Sequence, residues 1–333
     1  MPRRAVLSAA QRSFFEALPT ESVELAKHYL LSDEDLALVR ERRRQENRLG
    51  FAVQLCLSRF PGRLLRVGEN PPLPLIRFIA DQVSADASAF GTYAKRAETR
   101  REHALLLLER FALTTFKGHH IRELVRWLVP IAVDSPSGNL LVGAILNELR
   151  QRRILHPELA VIERLVGVAL GRADHRVLVQ INGYLHAFQR RTLDRWLIPE
   201  PDQNQSRFSQ VRQPIGKPCP TNLLLILERL RAIRELNLAA AVLEELPLKR
   251  QQSLSREGMR VATQNLRLFS DARRYAVMAV TLLDLQKALV DDALDMHDRI
   301  MTRVLRQGKQ RQAESPCNPM PSRSSRPWAC SRA

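Results

Sequence analysis

Glu24-Leu-Ala-Lys-His-Tyr-Leu-Leu-Ser-Asp-Glu-Asp-Leu-Ala-Leu-Val-Arg-Glu-Arg-Arg-Arg44 is the stretch that decides the fold class. Leu25, Ala26 and Tyr29 recur at helical spacing, the pattern breaks at Leu31-Ser32, and it resumes at Leu36 and Val39. Ser32 ahead of Asp33, Glu34 and Asp35 is a helix start, because first-turn carboxylates favour the positive end of the dipole. A helix, a short break and a helix with a cationic far end are compatible with a helix-turn-helix. There the second helix enters the major groove while neighbouring cations hold phosphates. An αα-hairpin with a solvated basic face gives the same pattern and is commoner. If helical, the consecutive Arg42, Arg43 and Arg44 fan about 100° apart and cannot all face bases.

Outward from this stretch the helical pattern continues. Ser8 with Gln11 reads as a capping box for a helix carrying Phe14, Phe15 and Leu18 up to Pro19. Leu49 to Leu57 is apolar and closed by Pro61-Gly62, and amphipathic runs follow at 74–84, 92–114, 119–133, 138–153, 157–172 and 174–197. No convincing period-two strand is present. The expected fold is all-α: tandem helical domains with helix-turn-helix-like units, a long helix near 271–306 and a disordered tail. The expected divisions are a helical DNA-binding domain at 1–135, a second at 136–200, a Pro/Gln/Ser-rich linker at 201–220, a helical linker or dimerisation region at 221–307, and a divergent tail at 308–333.

The charge is the second strong signal. The 333 residues carry 52 Lys+Arg against 35 Asp+Glu, a formal +17, and only seven of the cations are lysine. A planar guanidinium fork suits phosphate, and a surplus of this size points to nucleic acid or an anionic surface. Between 40 and 66, eight arginines stand against Glu41 and Glu46. A second cationic joint, Arg150, Arg152 and Arg153 ahead of Pro157, lies between two predicted helices. The candidate DNA-binding residues are Arg40, Arg42, Arg43, Arg44, Arg48, Arg59 and Arg63 of that run, Arg150, Arg152 and Arg153 of the joint, and, separately, Lys95, Arg96, Arg100 and Arg101.

Other chemistry finds little support. Cys56, Cys219, Cys317 and Cys330 are scattered, without zinc-knuckle spacing or a disulfide framework, which fits a reducing cytoplasm. His119-His120 lacks a third ligand at metal spacing and reads as a surface or capping pair. Asp291, Asp295 and Asp298 share a helical face with Arg299 and Arg303, the pattern of a solvated ion-paired face. The longest apolar stretch, Trp127 to Val133, is far short of the ~20 residues of a membrane span. No catalytic residue, metal site or cofactor is expected.

Asn47-Arg-Leu-Gly-Phe-Ala-Val-Gln-Leu-Cys-Leu-Ser-Arg-Phe-Pro-Gly-Arg63 resembles the N-terminal region of replicative transposases of the Tn-three family. Tyr93 to His103, Leu149 to Leu155 with Val161 to Arg164, and Arg274 to Val280 with Met296 to Arg299 match in the same order, so the resemblance spans about 5–306. It implies recognition of a transposon's terminal inverted repeats through tandem helical domains. It also implies that the family's catalytic Asp, Asp and Glu lie further along, in a ribonuclease-H-like domain. The pattern stops near Arg306–Lys309, where a Ser/Pro/Arg tail begins. The expectation is thus a truncated or frame-shifted transposase: a bacterial, nucleoid-associated binder of double-stranded DNA without catalysis, as a homodimer or paired with full-length transposase. The alternative is a helical scaffold that only dimerises with the intact enzyme.

Overall fold

A computed structural model describes residues 5–200 and 204–314. They fall into two compact units, one of the described residues up to 182 with 244–253 and the other of those in 183–243 and from 254 on.

The first unit runs α1 (Ala9–Glu16), α2 (Ser22–Tyr29), α3 (Asp33–Arg40), α4 (Gln45–Arg59), α5 (Leu73–Gln82), a 3-10 turn (Ala87–Ala89), α6 (Phe90–Lys95), α7 (Ala97–Arg110), β1 (Thr114–Thr115), α8 (Gly118–Asp134), α9 (Gly138–Gln151), β2 (Ile154–Leu155) and α10 (Leu159–Gly183). The expected capping box forms, with Ser8 exchanging hydrogen bonds with Gln11, and the helix start expected at Ser32 is a second box, closed with Asp35. Thr20 does not cap α2, whose N-cap is Glu21. The expectation of no strand is corrected by β1 and β2, a parallel pair of two residues each and too short to show a period. The runs 157–172 and 174–197 are also redrawn, as one 25-residue helix to Gly183 followed by a break.

The organising element is α4, in which every residue from Leu49 to Ser58 is buried. Helices α2, α3, α5, α6 and α7 all pack on it. Gly50 makes this possible on one side, since a Cβ there would overlap the Tyr93 ring. Inside this core Gln54 Nε2 donates to Tyr93 Oη (2.5 Å) and to the Arg100 carbonyl (3.0 Å), so the one polar side chain buried mid-helix is satisfied. A neighbouring core joins Leu7 to Leu124, Leu128, Leu141, Ile145, Ile162 and Val166 of α8, α9 and α10. The returning segment 244–253 completes the unit through Arg250. Its buried guanidinium donates to the Ala132 and Val133 carbonyls at the end of α8 (2.6 and 3.1 Å) and to Asp174 Oδ1 (2.5 Å).

The second unit contains α11 (Ala187–Trp196), α12 (Arg207–Val211), α13 (Pro220–Glu235), α14 (Ala241–Glu244, whose last residue belongs to the first unit), α15 (Leu248–Arg260, entering from the first unit at Leu254), α16 (Thr263–Arg267) and α17 (Asp271–Glu314). Helix α13 lies along α17, and Trp196, Phe208, Ile226, Ile233, Val277 and Leu282 meet in its core. Within the stretch expected as a linker, α12 buries Phe208 and Val211, and Arg212 donates to the Gly258 carbonyl and to that of Val261 (2.9 Å). The long C-terminal helix is present and passes residue 307 to reach Glu314. The rest of the tail expected to be disordered lies outside the described residues.

Candidate nucleic-acid interface

Two cationic regions stand at opposite ends of α4. At its N-terminal end, α3 stops at Arg40 and residues 41–44 form the turn into α4. Arg42, Arg43 and Arg44 are therefore not fanned around a helix. Arg42 is half-buried, its guanidinium 5.2 Å from the Phe51 ring centroid and 2.7 Å from Glu41, and Arg48 Nε donates to the Arg42 carbonyl (2.9 Å). Both hold the turn in place. Glu46 draws Arg96 to 3.3 Å and Arg44 to 4.0 Å, bringing the α6–α7 joint beside the turn. Arg40, Arg43, Lys95 and Arg101 are exposed, and no carboxylate pairs with them among the described residues. Arg100 is half-buried on the same stretch of α7. Residues 30–32 join the eight-residue helices α2 and α3, and the start of α3 exposes Asp33 and Glu34. The cations lie at and beyond its C-terminal end.

At the C-terminal end of α4 a notch of about 380 Å³ is lined by Ser58, Arg59, Gly62, Arg110, Phe111, Arg150 and Arg153 with neighbouring apolar residues. Three segments are stitched together around it. The Thr114 amide donates to the Arg153 carbonyl (2.9 Å), the His156 amide to the Gly62 carbonyl (3.0 Å), and the Gly62 and Arg63 amides to Leu57 (3.0 Å each). Gly62 has φ +101°, and a Cβ there would lie 3.2 Å from Arg150 Cγ, so the turn requires glycine. Arg150 sits 5.4 Å from the Phe60 ring centroid, and Arg59 5.3 Å from that of Phe111.

Not every arginine counted from the sequence is available. Arg59 makes a bidentate pair with Asp35 at 2.5 and 2.6 Å. Buried Arg63 does the same with Glu69 at 2.5 and 2.7 Å. Burial alone would raise the Asp35 carboxyl, but Arg59 and the Ser32 hydrogen bonds outweigh it and hold the group below its ordinary value. Glu69 is likewise held down against its burial by Arg63 and the Arg66 amide. Arg152 is paired with Glu148 (2.7 Å) and lies 3.7 Å from Glu123. By contrast Arg110, Arg150 and Arg153 have no carboxylate partner among the described residues, and burial lowers the Arg150 guanidinium from its ordinary value. Nothing local in the sequence sets Arg110 apart: it is the last residue of α7, and its neighbours in the notch come from other segments.

Elsewhere the side chains are structural. His120 Nδ1 accepts from the Lys117 amide (3.0 Å) at the start of α8, the capping role expected for one of the pair. Asp295 pairs with Arg299 at 2.9 Å. Buried Cys56 has its thiol pushed up to about 12 by desolvation. Cys317 and Cys330 lie outside the described residues. Among the described residues no group of three His, Cys, Asp or Glu could hold a metal ion, and no helix is long and apolar enough to cross a membrane.

Residues 6–169 match the family described as a domain of unknown function, DUF4158. The chain is similar to the transposase for transposon Tn501 of Pseudomonas aeruginosa, 36% identical over 311 residues that cover 93% of this chain and 32% of that protein. It is similar to the transposase for transposon Tn21 of Escherichia coli at 34% identity with the same coverage. The transposase for transposon gamma-delta of Escherichia coli strain K12 is 25% identical over 301 residues, 88% of this chain and 30% of that protein. The chain spans about a third of the length of these relatives.

Proposed function

The chain belongs to the Tn-three family of transposases, and we propose that its part in transposition is to hold the transposon's terminal inverted repeats as duplex DNA. The observation that carries this reading is the set of exposed cations without carboxylate partners around the α3–α4 turn and the α6–α7 joint: Arg40, Arg43, Lys95 and Arg101. Cations that no acid neutralises repel one another, and a phosphate backbone relieves that repulsion while releasing counterions. Arg42, Arg48 and Arg96 support the surface from behind. Such a chain would sit with the nucleoid. The reading assigns no strand cleavage or joining to these residues.

The test is a titration of labelled duplex, one carrying the inverted repeat and one of scrambled sequence, at several KCl concentrations. Both should bind, the repeat more tightly, with log K falling against log [salt] at a slope of about −4 to −6, as expected for a handful of neutralised phosphates. Absence of duplex binding at low salt would overturn the reading. Metal-dependent nicking by the pure chain, abolished by chelation, would overturn its non-catalytic half.

A second reading, pairing with another helical chain, is favoured by exposed Leu294, Met301, Val304 and Leu305 on the distal half of α17. A concentration-dependent mass, lost on replacing Met301 and Leu305 by Ser, would support it.

A further inference from the structure

Resting on that reading of the first unit, we infer that the notch where Arg110, Arg150 and Arg153 gather beside the Asp35–Arg59 pair is a second, separate contact that seats one backbone phosphodiester of the bound duplex. Arg59, Arg110 and Arg150 occupy the last turns of α4, α7 and α9, where cations also offset the negative helix ends. Three such ends carry roughly −1.5 charges, and Asp35 supplies one more, against four guanidiniums. A surplus of about one and a half positive charges is left in a partly desolvated recess. His156, beside Gly62, is pushed down to about 4 by desolvation, which outweighs its hydrogen bond with the Pro157 carbonyl, with smaller contributions from Arg63, Arg66 and Arg150.

Arg153 lies in the left-handed region at φ +57°, just past the end of α9, where glycine or asparagine is the usual residue. An arginine held there is retained against a backbone cost, and such outliers gather at binding sites. Its carbonyl is fixed by Thr114, so its side chain leaves from a rigid point on the rim. The 15 residues of α4 separate this notch from the cationic turn at its other end by roughly 22 Å, and α7 spans the same two regions. Two anchors at that separation suit phosphates on either side of a groove rather than one small anion.

The test uses the full chain and a scrambled-sequence duplex, since a phosphate contact acts on every sequence alike. Arg153→Gly relaxes the backbone, so its melting temperature should equal or exceed that of the unaltered protein. Its duplex affinity should nevertheless fall about three- to tenfold at 100 mM KCl, with the salt slope smaller by about 0.9. Arg110→Gln should do the same. If both variants keep the parent affinity and slope while the parent binds duplex, the arginines serve only the helix ends, and this inference fails with the proposed function intact. If the parent binds no duplex, the proposed function itself has failed. A melting shift with 10 mM inorganic phosphate, lost in both variants without any change in duplex binding, would mark a site for free phosphate and also overturn the inference.

Discussion

Asp35 and Arg59 meet across 24 residues of sequence, and their pairing decides which guanidiniums face solvent. The carboxyl also closes the α3 capping box through the Ser32 amide, so a single buried side chain holds both a helix start and an arginine. Asp35→Asn should lower stability at pH 7 by about 1–3 kcal/mol, measured by urea unfolding. The folded carboxyl titrates below its unfolded value of about 3.9, so the unfolded chain binds more protons in acid. The pair's contribution is therefore present above about pH 4 and lost as pH falls through the folded value, and the variant should show a flatter acid limb. His103 sets a second window. Desolvation, with Arg42 adding to it, pushes its imidazole down to about 4. Between about pH 6.5 and 4 the unfolded chain takes up a proton that the folded chain refuses, so stability declines across that interval. His103→Gln should flatten that part of the melting-temperature profile, and an unchanged slope would show that another group is responsible.

At the scale of elements, the turn after α4 is the joint on which the notch depends. Gly62→Ala combines a positive φ with pressure on the Arg150 stem and should cost about 1–3 kcal/mol. Its duplex affinity should fall as well, because Arg150 and the His156 amide both register on that turn. Parent-like melting and binding would mean that the turn adapts freely. The sequence made the helices legible because their signals are local: Ser8 reaches Gln11 and Ser32 reaches Asp35, each three residues on. The candidate interface was legible only in part, because a count of arginines does not say which are spent. Arg59 and Arg63 stood inside the densest basic run, yet each is tied to an acid, Asp35 far upstream and Glu69 beyond the turn. Arg110 drew no attention and lines the notch, because its neighbours come from α4 and from the 150–155 joint. Phe208 and Val211 were hidden for a similar reason, as five prolines between 199 and 220 masked a one-turn helix that tertiary packing stabilises.

For the whole molecule, the order of residues along the chain is not the order of its compact units. The first unit ends at residue 182 and is finished only by 244–253, where Arg250 satisfies two carbonyls at the end of α8 and pairs with Asp174. Arg250→Met should destabilise that unit by roughly 2–4 kcal/mol, because it strands buried acceptors that water reaches poorly. A fragment of residues 1–200 should accordingly unfold at lower urea than the same unit within the full chain, monitored by the fluorescence of Trp127 with Trp196 replaced by Phe in both and Trp328 in the full chain; coincident midpoints would show that the returning segment contributes nothing. Exchanging the first unit between relatives by grafting an N-terminal block cut between 182 and 244 would then leave its last segment behind. A graft that keeps the unit whole has to take the ten residues around Arg250 along with it, so the unit is inherited as two separated pieces of gene rather than one.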